Sequence, residues 1–160
     1  MIIMRFILIL CLTFTSIVVQ AKTNLPLPRY VSIKSNEVNA RTGPNVRYPI
    51  KWVYVKKGEP IELVAEFEQW RKIRDKEGGE GWVHESMVSG RRRVIIIGDK
   101  QQKVFIDPDE NTKAIFLIEA NVRATLNKCQ NQWCEIEVEN HKGWIERKYL
   151  WGVYKNEEIK

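Results

Sequence analysis

The strongest constraint on this chain is that it says one thing twice. Glu68–Gly90 reads EQWRKIRDKEGGEGWVHESMVSG, and Asn131–Val153 reads NQWCEIEVENHKGWIERKYLWGV. Each has Gln-Trp, an isoleucine three residues later (Ile73, Ile136), a polar turn and a Gly-Trp pair. The offset is 63 at Trp70/Trp133 and 62 at Trp82/Trp144, so one residue is lost in the turn, where RDKEGGEG shortens to EVENHKG. Turns between matched strands tolerate such length changes. Two copies of roughly 60 residues point to a tandem of small domains, not a solenoid.

Within each copy the period is two. Ile61, Leu63, Ala65 and Phe67 place an apolar face on one strand, and Cys134, Ile136 and Val138 alternate with Glu135, Glu137 and Glu139 on another. Gly58-Glu59-Pro60, Gly78-Gly79 and Asn140-His141-Lys142-Gly143 punctuate the strands as turns. No stretch after residue 21 keeps a helical period for ten residues. The expected class is all-β: two tandem antiparallel barrels of five or six strands each, since closure removes edges that so small a unit cannot cover. The glycine of each Gly-Trp pair permits close approach, and Trp82 and Trp144 are expected in the core or at its rim. Trp70 and Trp133 have the opposite parity to Ile73 and Ile136, which predicts half-exposed rings unless a bulge turns them inward.

Ahead of this lies MIIMRFILILCLTFTSIVVQAK, with Arg5, an apolar run and a Val19-Gln20-Ala21 cleavage pattern. Residues 1–21 are expected to be a signal peptide and the product periplasmic or secreted, with no stable membrane span after cleavage. A retained anchor is the alternative. Cleavage removes Cys11 and leaves Cys129 and Cys134. An even pair in an oxidising compartment, joined by QNQW in a hairpin, is expected to form a disulfide. Cys134 also shares parity with Ile136, so two inert buried thiols remain open.

The net charge of +6 is uneven. Residues 28–90 carry eleven Lys/Arg against nine Asp/Glu, residues 104–154 six against eight, and RRRVIIIGDKQQK (91–103) five against one. That segment reads as a basic, solvated connector, although such a patch can also attract an anionic polymer or surface. Val94–Ile97 are too apolar to be exposed and are expected to form a strand against one of the barrels.

Asn39-Ala40-Arg41-Thr42-Gly43-Pro44, then Gly58, Trp70-x-x-Ile73 and Gly81-Trp82-Val83 resemble in order the pattern of bacterial SH3-like domains. The likeness covers residues 29–90. Residues 104–154 keep Trp133-x-x-Ile136 and Gly143-Trp144-Ile145 but open with VFIDPDENTKA, so whatever Arg41 and Gly43 do in the first copy cannot be done in the same way here. Residues 155–160 are left as a tail. The resemblance implies an SH3-like barrel and an envelope setting, with no defined ligand.

NVRYPIKWVYVKK (45–57) interleaves Tyr48, Trp52 and Tyr54 with Arg47, Lys51, Lys56 and Lys57, close to Arg41. Aromatics of this kind stack on sugars or extended peptide, and cations meet carboxylates. Arg41, Tyr48, Lys51, Trp52 and Tyr54 are the candidate ligand-binding residues. The competing reading is a half-buried strand with a charged outer face, with Arg41 only bracing the turn. No catalytic set is expected: His84 and His141 lie at turns, and neither cysteine has a base and orienting group in a recognisable pattern. Cys-x4-Cys with scattered histidines is a poor zinc pattern, so no metal or other cofactor is expected. Acids interleave with the cations outside the connector, which argues against nucleic acid. The function expected is a non-enzymatic exported module binding peptidoglycan or another envelope ligand through the first copy. The alternative is an adaptor or structural protein whose partner is an envelope protein.

Overall fold

Strand backbones must find partners for their N–H and C=O groups, and here almost every strand finds them in a hairpin neighbour. The computed structural model describes residues 25–160; the expected signal over 1–21 lies outside them. The first unit contains β1 (Arg29–Ile33), β2 (Val38–Arg41), β3 (Ile50–Tyr54), β4 (Pro60–Phe67), β5 (Trp70–Arg74), β6 (Glu80–His84) and β7 (Val88–Ser89). The second contains β8 (Arg93–Ile96), β9 (Gln102–Phe105), β10 (Ala114–Ile118), β11 (Arg123–Gln130), β12 (Trp133–Val138), β13 (His141–Glu146) and β14 (Leu150–Trp151). Spatial order is β3-β2-β6-β5-β4-β1-β7 in one sheet and β10-β9-β13-β12-β11-β8-β14 in the other. The second order is the first with seven added to every strand, so the sequence repeat is a repeat of topology. Each sheet has seven strands, one of them only two residues long, against the five or six expected.

Each sheet wraps its own core. Val31, Ile33, Val38, Ala40, Ile61, Leu63, Ile73 and Val83 meet in the first. In the second, Val94, Ile96, Val104, Leu126, Ile136 and Ile145 meet around Cys134. Ile73 and Ile136 are wholly buried, as the period-two reading requires. In the Gly-Trp pairs the core side belongs to the glycine. Gly81 lies under Ala40 and Trp52, and Gly143 under Val104 and Ile115. Trp82 and Trp144 belong to neither core cluster and sit at the rim, Trp82 half-buried and Trp144 7% exposed beneath Lys128 Nζ at 5.0 Å. A Cβ on Gly143 would sit 2.5 Å from Val104 Cγ1 and 3.0 Å from the Phe105 carbonyl oxygen. Gly143→Ala is therefore expected to cost about 2 kcal/mol through overpacking, read as a lowered urea midpoint. Gly90→Ala, where a Cβ meets nothing within 4 Å, should stay within about 0.5 kcal/mol.

Within 91–103 the expected strand is present as β8, ending one residue short of the apolar run with Ile97 exposed, and residues 97–101 after it are solvated. Val94, Ile95 and Ile96 are at most 1% exposed, and β8 pairs with β11 on one side and β14 on the other. Three apolar residues in a row cannot be left in water, so the second sheet begins at Arg93.

The two units are packed together, and the chain's last residues form much of the joint. Tyr30 of β1 lies against Trp151 and Tyr154, with ring centroids at 5.4 and 4.7 Å. Tyr154 Oη donates to Glu62 Oε1 at 2.8 Å, and Arg123 reaches Glu59 at 3.2 Å. Arg92 pairs with Glu157 and donates to the Gly152 carbonyl at 2.8 Å. Arg147 donates to the carbonyls of Tyr154 and Glu157 at 2.6 and 2.7 Å, and the Cys129 amide donates to the Ile159 carbonyl at 2.9 Å. Residues 155–160 are thus a docked strap.

Burial, reinforced by Glu62 and Glu157, pushes the Tyr30 phenol up to about 12. Burial, with Glu62 again, raises Tyr154 further. The folded chain then keeps protons that the unfolded chain gives up near the ordinary tyrosine value of about 10. The folded state binds more protons than the unfolded one above that point, so stability falls as pH rises. The expected result is an undiminished urea midpoint up to about pH 10, then a steady fall as pH rises through about 12. Phenolate absorbance should appear together with loss of the joint.

Candidate functional site

The β2–β3 loop of the first unit is held from beneath. Arg41, the last residue of β2, donates through Nη1 to the Val46 and Tyr48 carbonyls at 3.0 and 2.8 Å. Gly43 is buried directly under the Tyr48 ring, where a Cβ would lie 2.6 Å from ring carbons. Asn45 Oδ1 accepts from the Arg47 amide at 3.0 Å. The Arg-x-Gly-Pro run therefore makes a loop that presents Tyr48 as a fixed, 46% exposed ring. Across from it stands Phe67, 52% exposed at the end of β4. Pro44, Asn45, Arg47, Tyr48 and Phe67 line an open cleft of about 420 Å³. Two aromatic rings, a proline and a guanidinium can stack on a sugar ring or a peptide backbone and meet a carboxylate.

The five residues expected to share a groove are divided by the structure. Tyr48 lines the cleft. Arg41 lies under the loop with its guanidinium committed to carbonyls. Lys51 donates to the Glu80 carbonyl at 3.0 Å and covers the Trp52 ring at 4.7 Å. Trp52 and Tyr54 are half-buried against the first core, edge to face with centroids 6.3 Å apart. Tyr54 Oη is 3.1 Å from Asp75 Oδ2. Burial pushes the Tyr54 phenol far up, opposed by the neighbouring Trp52 indole, whose buried N–H makes no hydrogen bond of good geometry.

Phe67 was missed as a site residue because period two assigned it to the core face with Ile61 and Leu63. A register shift between Leu63 and Ala65 reverses the later part of β4 and turns Phe67 outward. β11 has the same shift, between Leu126 and Lys128. That paired irregularity could not be read from one copy, but the apolar alternation weakens after Leu63, where Val64 breaks it.

The second unit differs at this loop. Phe105 takes the place of Arg41: each is the residue that pairs with the tryptophan of its Gly-Trp motif, Trp144 and Trp82. The loop then turns on Asp109 and Thr112, with Thr112 Oγ1 donating to the Asp109 carbonyl at 2.7 Å. A cleft of about 390 Å³ beside it is lined by Gln102, Lys103, Phe105, Glu110, Asn111 and Tyr149 among others. It presents amides and mixed charge in place of paired exposed rings.

Cys129 and Cys134 are a facing pair across the β11–β12 hairpin, bridged with S–S 2.07 Å and Cα atoms 4.1 Å apart. Neither sulfur is then available as a thiolate nucleophile. His84 Nδ1 is held 2.8 Å from Ser86 Oγ. Among the described residues, no group of three or more His, Cys, Asp or Glu is arranged to hold a metal ion. No helix among them is long and apolar enough to cross a membrane.

Comparison with known proteins agrees with the architecture. A family model for a bacterial SH3 domain matches twice, over residues 34–90 and 98–152. The chain is 24% identical over 156 residues to the "Putative N-acetylmuramoyl-L-alanine amidase YrvJ" of Bacillus subtilis (strain 168), covering 91% of this chain and 30% of that protein. Among solved structures, NlpC2 from Trichomonas vaginalis is similar at 12% identity and a TM-score of 0.38, over 81% of this chain and 49% of the other. An NlpC/P60 family protein from Bacillus cereus ATCC 10987 is similar at 13% identity and a TM-score of 0.35, over 76% and 55%. Structural likeness this loose carries no argument. The chain spans about a third of the curated relative and half of these structures.

Proposed function

The chain belongs to the bacterial SH3 domain family, and on that premise we propose that it is a non-enzymatic binding module of the cell envelope that recognises peptidoglycan through its first unit. The observation that carries the reading is the cleft between Tyr48 and Phe67, with Arg47 at its edge and Arg41 locking the loop. It is a rigid aromatic surface with a cation beside it, suited to a sugar ring and the carboxylates of a short peptide. The named activity of the Bacillus subtilis relative supports a cell-wall setting, and the disulfide supports an oxidising compartment outside the cytoplasm. In this role the bridged cysteines serve the fold and supply no thiolate.

Sedimentation with purified peptidoglycan tests this. Saturable pull-down is expected, weakened at least about tenfold in Tyr48→Ala and Phe67→Ala, since exposed aromatic anchors dominate such contacts. Both rings are on the surface, so unfolding should not confuse the result. Absence of saturable binding by the unaltered protein would sink the reading. A second reading, an adaptor for another envelope protein, is favoured by one observation. The edge strands β3 and β10 leave Val53 and Leu117 40% and 56% exposed beside unpaired strand edges. Crosslinking to an envelope protein without wall binding would favour it.

A further inference from the structure

A second surface gathers cations that are far apart in sequence. Lys34 follows β1, Lys57 lies in the β3–β4 turn, and Arg91 and Arg93 flank the start of β8. Together with Ser32, Ile33, Gly58 and Ser89 they line a cleft of about 390 Å³ where the two units meet. Its wall has four cationic side chains and no carboxylate. Among the described residues, none of the four is in an ion pair, whereas neighbouring Arg92 is matched to Glu157. The nearest acid in sequence, Glu59, is held by Arg123 at 3.2 Å.

The backbone beneath these side chains is fixed. Ser32 Oγ donates to the Arg91 carbonyl at 3.0 Å, and the Arg91 amide donates to Ser89 Oγ at 3.2 Å. The Lys34 amide donates to the Met87 carbonyl at 2.9 Å, and the Gly58 amide to the Ile33 carbonyl at 2.8 Å. Arg93 is half-buried and passes over Gly58. Like charges held together on a set scaffold repel one another, and that repulsion is relieved when a multivalent anion enters. Two guanidinium forks with two ammonium groups suit the several oxygens of phosphate groups better than one carboxylate.

We propose that this inter-unit cleft is a binding site for a phosphate-bearing anion with at least two negative charges, such as a diphosphate or a stretch of phosphodiester. It shares no residue with the Tyr48–Phe67 cleft and does not depend on peptidoglycan recognition. The unaltered protein is titrated with inorganic pyrophosphate by calorimetry at low and raised salt. The expected result is one-to-one binding that weakens about tenfold as salt rises. It should fall about tenfold or more in Lys34→Gln/Lys57→Gln, whose side chains are exposed, and in Arg91→Gln. Lys128→Gln/Lys142→Gln, which removes two cations from the second unit, should leave it unchanged. Co-sedimentation with vesicles containing cardiolipin, whose headgroup carries two phosphates, against neutral phosphatidylcholine vesicles, separates the sources. Binding to both probes that is lost in the same variants places a lipid headgroup in the cleft, and binding to pyrophosphate alone assigns a soluble or polymeric phosphate. No pyrophosphate binding at low salt, or equal loss in the Lys128/Lys142 control, would overturn the proposal.

Discussion

Gly152→Val is expected to lower stability by about 3 kcal/mol and to open the joint between the two units. Gly152 has φ +112°, where a β-branched residue is strained. A Cβ there would lie 2.5 Å from the Arg93 carbonyl oxygen, 3.1 Å from Val94 Cα and 3.2 Å from Pro60 Cβ. Two of these are backbone atoms of the buried strand β8 and cannot move aside. The third belongs to the other unit, so the same substitution pushes the two apart. The Arg92 fork on the Gly152 carbonyl would be displaced with it, freeing the strap after Trp151. The check is a lowered urea midpoint together with new protease cleavage after Gly152. A variant as stable as the original, with the tail still protected, would refute the account.

The second large effect lies at Arg71, only 7% exposed at its side chain. Its guanidinium donates to the Glu68 and Trp70 carbonyls at 2.8 and 3.1 Å, lies 3.4 Å from Glu66 and pairs with Glu85. It is the internal clamp of the β4–β5 turn, where Glu68 has φ +48°. Arg71→Met leaves two carbonyls without their donor and takes one cation from the buried Glu66. Breaking a buried pair costs about 3–5 kcal/mol. Here Glu66 keeps Arg29 and Glu85 is 45% exposed, so the lower end, about 3 kcal/mol, is expected. Arg71→Lys should recover little, because one ammonium cannot serve four acceptors in a plane. Phe67 lies on this turn, so in the proposed wall-binding role peptidoglycan affinity should fall in step with faster amide exchange at Glu68–Trp70. Unchanged exchange there would count against the clamp.

What the sequence disclosed and what it withheld follow from the range of the interactions involved. The repeat, the period-two strands and the punctuating turns are local, and they yielded two antiparallel barrels and a facing cysteine pair. Phe67 was misplaced because a one-residue register shift reverses every side chain beyond it, and the break in alternation at Val64 is the one trace it leaves in the residue types. Trp52 and Tyr54 looked like binding residues by composition alone, yet each has one side on a core that only the folded sheet defines. Trp70 was expected half-exposed by parity. It is 9% exposed without a shift in β5, because His84 on the neighbouring strand covers it edge-on at 5.7 Å. Arg91–Arg93 read as a solvated run, but one of the three pairs with Glu157, 65 residues on. The two cationic neighbours it leaves behind meet Lys34 and Lys57 only in three dimensions.

The strap also carries a consequence for the order in which the molecule is completed. Strands β1 to β7 are contiguous and pair only with one another, so the first sheet needs nothing beyond Ser89 to close. Domains whose contacts are local fold as soon as their own segment is available, the N-terminal one first. Its outer face, however, includes Tyr30 and Glu62, whose partners Trp151 and Tyr154 lie 62 and 65 residues beyond Ser89. A nascent chain therefore passes through an interval in which the first barrel is finished while an aromatic, partly charged face stands bare. During that interval this face is the part of the molecule most open to a folding factor, a protease or a neighbouring chain, and the docking of Trp151 and Tyr154 ends the exposure.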